Sequence, residues 1–70
     1  MLTHALLDEM LAARHAAGLT QAQIAERMGT KAPAVTRLEN ALASGKHSPS
    51  LDTLRKYAAA VGKTLEVRLV

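Results

Sequence analysis

The sequence predicts an all-α fold: a small bundle of about four helices, followed by one short C-terminal β-strand. Three observations carry this reading. Apolar residues recur at helical spacing in four successive stretches. Each stretch is followed by one of the chain's four glycines, Gly18, Gly29, Gly45 and Gly62. The tail "TLEVRLV" then changes period, with Leu65, Val67 and Leu69 alternating with Glu66 and Arg68.

The first helix is expected from about Thr3 to Ala17, with Gly18 as its stop. Leu6, Met10, Ala13 and Ala17 form one stripe, and Leu7 and Leu11 fall on a second, about 100° round. Leu7 and Leu11 therefore have two readings: part of a wide core face, or a contact with a partner protein. Thr20 opens the second helix, with Gln23 placed for a capping box and Leu19 and Ile24 for a hydrophobic staple. That helix ends near Met28. The third starts at Pro33, because proline fits a first turn whose amides have no intrahelical partner. Ala32 is its cap or lies just inside it. Val35, Leu38 and Leu42 face inward, and the helix continues to about Ala43. After the polar loop "GKHSPS", Ser50 caps a fourth helix from Leu51 to Val61, with Leu51, Leu54, Ala58 and Val61 as its buried side.

With 70 residues the chain is a single domain, 1–70, with a core of marginal size. No cysteine is present, which excludes disulfides and thiolate metal sites. No apolar run reaches the ~18 residues of a membrane span, and the start lacks signal-peptide features, so the expected location is cytoplasmic without membrane contact. A net charge of +3 and a pI near 9.8 allow a nucleic-acid partner. Tyr57 is the only aromatic residue, which argues against stacking on single strands. Catalysis is not expected: there is no phosphate-cradling glycine loop and no nucleophile motif. His4, His15 and His47 lie far apart without ligand spacing, so neither a metal nor a cofactor is expected.

Two short helices joined through a glycine turn make a helix-turn-helix. Its third helix would present Ala32, Pro33, Thr36 and Arg37 outward, where they can enter a DNA major groove. Arg37 suits bidentate contact to guanine, and Thr36 offers a hydroxyl to a base edge or a methyl to thymine. Lys31, at the helix entrance, can reach a phosphate or a base. Thr30 in the turn and Gln21 at the start of the second helix are candidate phosphate contacts, Gln21 through the helix dipole and its free amides.

The stretch "LTQAQIAERMGTKAPAVTRLEN" resembles the helix-turn-helix core of the phage-repressor and Cro class, the XRE family, with a lambda-repressor-like bundle. The likeness covers about residues 5–62 and rests on Leu19-Thr20-Gln21, Ile24-Ala25, Gly29, Val35 and Leu38-Glu39. It implies a phosphate contact at Gln21, base reading by Lys31, Ala32, Pro33, Thr36 and Arg37, and a backbone contact at Asn40. It further implies a structural ion pair between Arg14 and Glu39. Ala32 and Pro33 depart from the polar residues often used for base reading. "ALASGKHS" lengthens the loop before the fourth helix, where Lys46, His47 or Ser48 would supply phosphate contacts. The whole chain is similar to a subgroup, antitoxins of the host-inhibition-of-growth (HigA) type. That implies a dimeric autorepressor of palindromic operator DNA that also binds a ribonuclease toxin, with its terminal strand in the dimer. Relatives in that subgroup often carry further chain before the first helix.

The lone strand has no partner in its own chain, and an isolated strand is not stable in water. Pairing with a second copy through Leu65, Val67 and Leu69 is the expected remedy. The competing function is a protein-interaction module that keeps the helix-turn-helix shape without binding DNA.

Overall fold

The structure, a computed structural model, describes residues 2–45 and 49–69. Four helices occur in chain order: α1, Leu2–Ala16; α2, Gln21–Met28; α3, Ala32–Ser44; and α4, Leu51–Ala60. The start of α2 follows from its first residues. The Thr20 hydroxyl accepts from the Gln23 amide at 3.1 Å, and the Gln23 side chain accepts from the Thr20 amide at 2.9 Å. Together these complete a capping box and give partners to donors that would otherwise have none. The end of α2 is equally local. Gly29 takes the left-handed conformation, φ 74°, and its amide and that of Thr30 return to the carbonyls of Glu26 and Ala25. A side chain at Gly29 would be strained by backbone conformation alone, since an added Cβ meets nothing within 4 Å. Gly29, Thr30 and Lys31 then lead directly into α3.

Helix α3 begins one residue before the expected Pro33. Lys31 is its cap, Ala32 its first residue, and the proline stands in its first turn, where a missing amide costs nothing. Helix α1 sits one residue earlier than expected and leaves Ala17 exposed. Helix α4 turns a different side inward. Leu54, Tyr57 and Ala60 are buried, with Val61 at its end, while Leu51 is 48% exposed and Ala58 only half-buried.

The core comprises Leu7 and Met10 of α1, Ile24 and Ala25 of α2, Val35, Leu38 and Leu42 of α3, and Leu54, Tyr57, Ala60 and Val61. Leu7 is therefore a core residue, not a partner contact, and Leu11 is half-buried against the same cluster. Both stripes of α1 are needed because α1 packs across α3 while the tail folds back beside it. Burial of a side chain like Leu7 contributes about 1.5–3 kcal/mol, which a core this small cannot forgo.

No strand forms among the described residues, so the expected strand over 64–69 is not seen. The physical reason is the one the alternation already raised: the described chain supplies no second strand to receive its hydrogen bonds. Leu65 folds against the core beside Leu6, Met10, Leu54 and Val61, whereas Val67 is 58% exposed and Leu69 fully so.

One polar cluster crosses this apolar interior. Glu39 of α3 is buried, and the Tyr57 hydroxyl of α4 donates to its Oε2 at 2.9 Å. Arg14 Nε of α1 stands 3.3 Å from the same oxygen, an ion pair whose N–H is not aimed well enough to be a hydrogen bond. The Arg14 guanidinium also donates to the Leu19 carbonyl at 3.3 Å, tying the end of α1 to the approach to α2. On the other side of the bundle, the Arg27 guanidinium donates to the Ala60 carbonyl at 2.8 Å and so fixes α2 to the end of α4.

Burial pushes the Tyr57 phenol up from 10.0 to about 12. Its hydrogen bond to Glu39 and that carboxylate's charge act in the same direction, and Arg14 opposes them. The folded value lies above the unfolded one, so this contribution is complete below pH ~10 and is lost as pH rises towards ~12. Two units correspond to about 3 kcal/mol. Tyr57→Phe is expected to lower stability by about 2 kcal/mol at neutral pH, through loss of a hydrogen bond to a buried carboxylate. The stability difference from wild type should then shrink across that alkaline window. Urea unfolding of both proteins at a series of pH values checks this. Groups common to both proteins cancel in the difference.

Candidate nucleic-acid interface

One side of α3 holds the core, so its opposite side is set by helical geometry. Pro33, Arg37 and Asn40, spaced for one face, are exposed, as is Lys31 just before the helix. Arg37 and Asn40 make no side-chain hydrogen bond or ion pair among the described residues, so their donors are available to a ligand. Ala32 and Thr36 border this face and are half-buried. The five residues expected to read bases thus lie along one edge of the bundle. Lys31 has an extended backbone, φ −112° and ψ 155°, and makes no side-chain cap. An ammonium can only donate, and a helix start needs acceptors, so its charge is left to the surface.

The start of α2 borders the same edge. Thr20 satisfies the Gln23 amide, and the first two amides of the helix have no intrahelical partner by geometry. Thr30 is half-buried in the turn. Lys46 and His47, expected to contact phosphate, lie outside the described residues.

Gln21 is placed differently from a simple phosphate donor. Its Nε2 donates to Glu39 Oε1 at 2.8 Å, and its Oε1 accepts from the Thr36 hydroxyl at 2.7 Å. One Nε2 hydrogen remains for any other partner. Thr36 also lies 3.3 Å from the Ala32 carbonyl, one turn back. Half-buried Thr36 and the buried carboxylate are therefore joined through one amide. Periodicity alone did not reveal this link, because it depends on which rows of α2 and α3 face each other. Tyr57 was equally hidden: its only sequence signal was being the sole aromatic residue.

The arrangement offers cationic and amide donors on an exposed helix, without any stacking platform. Among the described residues there is no group of acidic, histidine or cysteine side chains that could hold a metal ion. No helix among them is long and apolar enough to cross a membrane.

Comparisons with known proteins bear on the family of the chain. A relative from Haemophilus influenzae, described as an uncharacterized HTH-type transcriptional regulator, is 36% identical over 63 residues, or 90% of this chain. The chain spans 60% of that relative's length. No solved structure matches. The family profile for helix-turn-helix proteins (HTH_3) matches residues 10–67, which takes in α2, the turn, α3 and α4 entire. The chain belongs to the helix-turn-helix family of the XRE class.

Proposed function

We propose that the protein is a transcriptional repressor that binds double-stranded operator DNA, with α3 in the major groove. The observation that carries this is the exposed edge of α3, where Lys31, Arg37 and Asn40 stand beside the start of α2. The relative described as a transcriptional regulator supports the same reading. In this account Arg37 is the principal base reader, by bidentate contact to guanine. Ala32 and Pro33 offer apolar contact, and Thr36 reads beside them. Asn40, Thr30, the free amides of α2 and the remaining Gln21 hydrogen hold phosphates. Lys46 and His47 are assigned to the backbone by resemblance alone.

The repressor acts as a homodimer on a palindrome. Val67 and Leu69 are exposed apolar residues on a tail whose backbone has no partner among the described residues, and Leu65 leads that tail off the core. A second copy would cover them and enlarge a small core. It would also set the two α3 helices about 34 Å apart, one turn of DNA. The antitoxin role, with autoregulation and a ribonuclease toxin as partner, rests on the resemblance of the whole chain to that subgroup. The alternative, an interaction module without DNA, is weakened because Leu7 is in the core.

Arg37→Ala should weaken specific binding by about 1–3 kcal/mol per subunit and relax preference at one base position. Fluorescence anisotropy with the operator and single-base variants measures both. Full affinity with unchanged preference would remove Arg37 from the base-reading role. Deleting residues 64 to 70 should yield a monomer by sedimentation, with reduced affinity for the palindrome. A truncated protein that stayed dimeric would place dimerisation elsewhere.

A further inference from the structure

The hydrogen bond between Thr36 and Gln21 has a fixed direction. A carboxylate oxygen only accepts, so Gln21 must turn its amino group to Glu39 Oε1, 2.8 Å away. Its carbonyl oxygen then faces Thr36 Oγ1 at 2.7 Å, and a carbonyl also only accepts. The single hydroxyl proton of Thr36 therefore goes to Gln21. The other acceptor, the Ala32 carbonyl, lies at 3.3 Å, beyond the ~2.5–3.0 Å of a good O–H···O bond, so Gln21 is the partner that keeps the proton inside the protein. Glu39 cannot turn to release the amide, because Tyr57 and Arg14 hold its other oxygen at 2.9 Å and 3.3 Å.

What remains of Thr36 for a ligand is a hydroxyl oxygen with free lone pairs, and a methyl group. We propose that Gln21, oriented by Glu39, locks Thr36 as an acceptor and a methyl, so that Thr36 refuses a guanine edge and favours an A·T pair, which offers both an amino donor and a methyl. In the major groove adenine N6 donates a hydrogen, and thymine carries a methyl for apolar contact. Guanine presents only acceptors, N7 and O6, which would face the lone pairs of Thr36. Cytosine supplies an amino donor but no methyl. Gln21 is thus a positioning residue for specificity as well as a neighbour of the phosphates. The inference rests on the proposed DNA binding.

The test is selection of binding sites from randomised duplex DNA by wild type, Thr36→Ala and Gln21→Met. Thr36→Ala locates the pair that Thr36 reads. Wild type is expected to prefer A·T there by about fivefold per half-site, the lower end for a base contact. Gln21→Met keeps the side-chain length but frees the hydroxyl proton, so G·C becomes tolerated at that pair while the other positions hold. Its folding is checked by circular dichroism and melting. A second arm needs no change at Gln21: deoxyuridine in place of thymine at that pair should weaken wild type, and weaken Thr36→Ser less. Preference of wild type for G·C at that pair, or equal weakening of all sequences by Gln21→Met, overturns the proposal and leaves DNA binding standing. So does an unchanged profile in a folded Gln21→Met protein. If that variant does not fold, an unaltered affinity of wild type for the deoxyuridine site overturns it. Recovery of no preferred sequence by wild type would overturn the DNA-binding reading and this inference together.

Discussion

The carboxylate of Glu39 touches every helix of this bundle. It stands on α3, pairs with Arg14 of α1, accepts from Tyr57 of α4, and holds Gln21 of α2. A buried acidic group is costly unless its oxygens are satisfied. Here both oxygens have partners, and each partner comes from a different helix, so the carboxylate is satisfied only in one mutual arrangement of all four. Such a group adds little net stability compared with a well-packed apolar one, but it penalises every wrong packing heavily. For a core of this size, which apolar residues of similar shape could fill in several ways, that penalty specifies the fold.

The same carboxylate sets the chemistry at the surface. Gln21 is the only residue between Glu39 and Thr36, so the orientation of a buried group is transmitted to a half-buried one in a single step. The rest of the exposed edge of α3 is placed by backbone rules. Gly29 ends α2 without strain, Pro33 suits the first turn of α3, and the core positions Val35, Leu38 and Leu42 oblige Pro33, Arg37 and Asn40 to face out.

The parts of this account that were legible in the sequence are those governed by near neighbours. Thr20 with Gln23, Ser50 as a cap, and the glycines after α1, α2 and α3 act over a few residues, and the structure has them where spacing put them. Long-range features were harder to read. Leu7 and Leu11 lie on a second stripe, and only the packing of α1 on α3 and the tail decides that this stripe faces inward. The spacing points to Ala58 and Leu51 rather than Tyr57, because an amphipathic pattern does not say which stripe meets a buried acid. The tail shows the opposite failure. Its alternation is clean, yet a strand needs a partner, and alternation carries no information on whether one is present. The exposed edge of α3 followed from inward-facing neighbours, whereas the inward turn of Gln21 did not, because its partners lie fifteen and eighteen residues away.

If Glu39 is the group on which the arrangement depends, the most direct test is equilibrium urea unfolding of Glu39→Gln beside wild type. The substitution keeps the shape and removes the charge. It leaves Arg14 unpaired and places an amide donor where one of three donors must now be refused. The expected loss is about 3–5 kcal/mol, the range for removing one side of a buried ion pair. That is comparable to the whole stability of a domain this small, so the variant should be largely unfolded without denaturant. A variant within ~0.5 kcal/mol of wild type, inside the range of an ordinary surface substitution, would show that the bundle does not depend on this carboxylate.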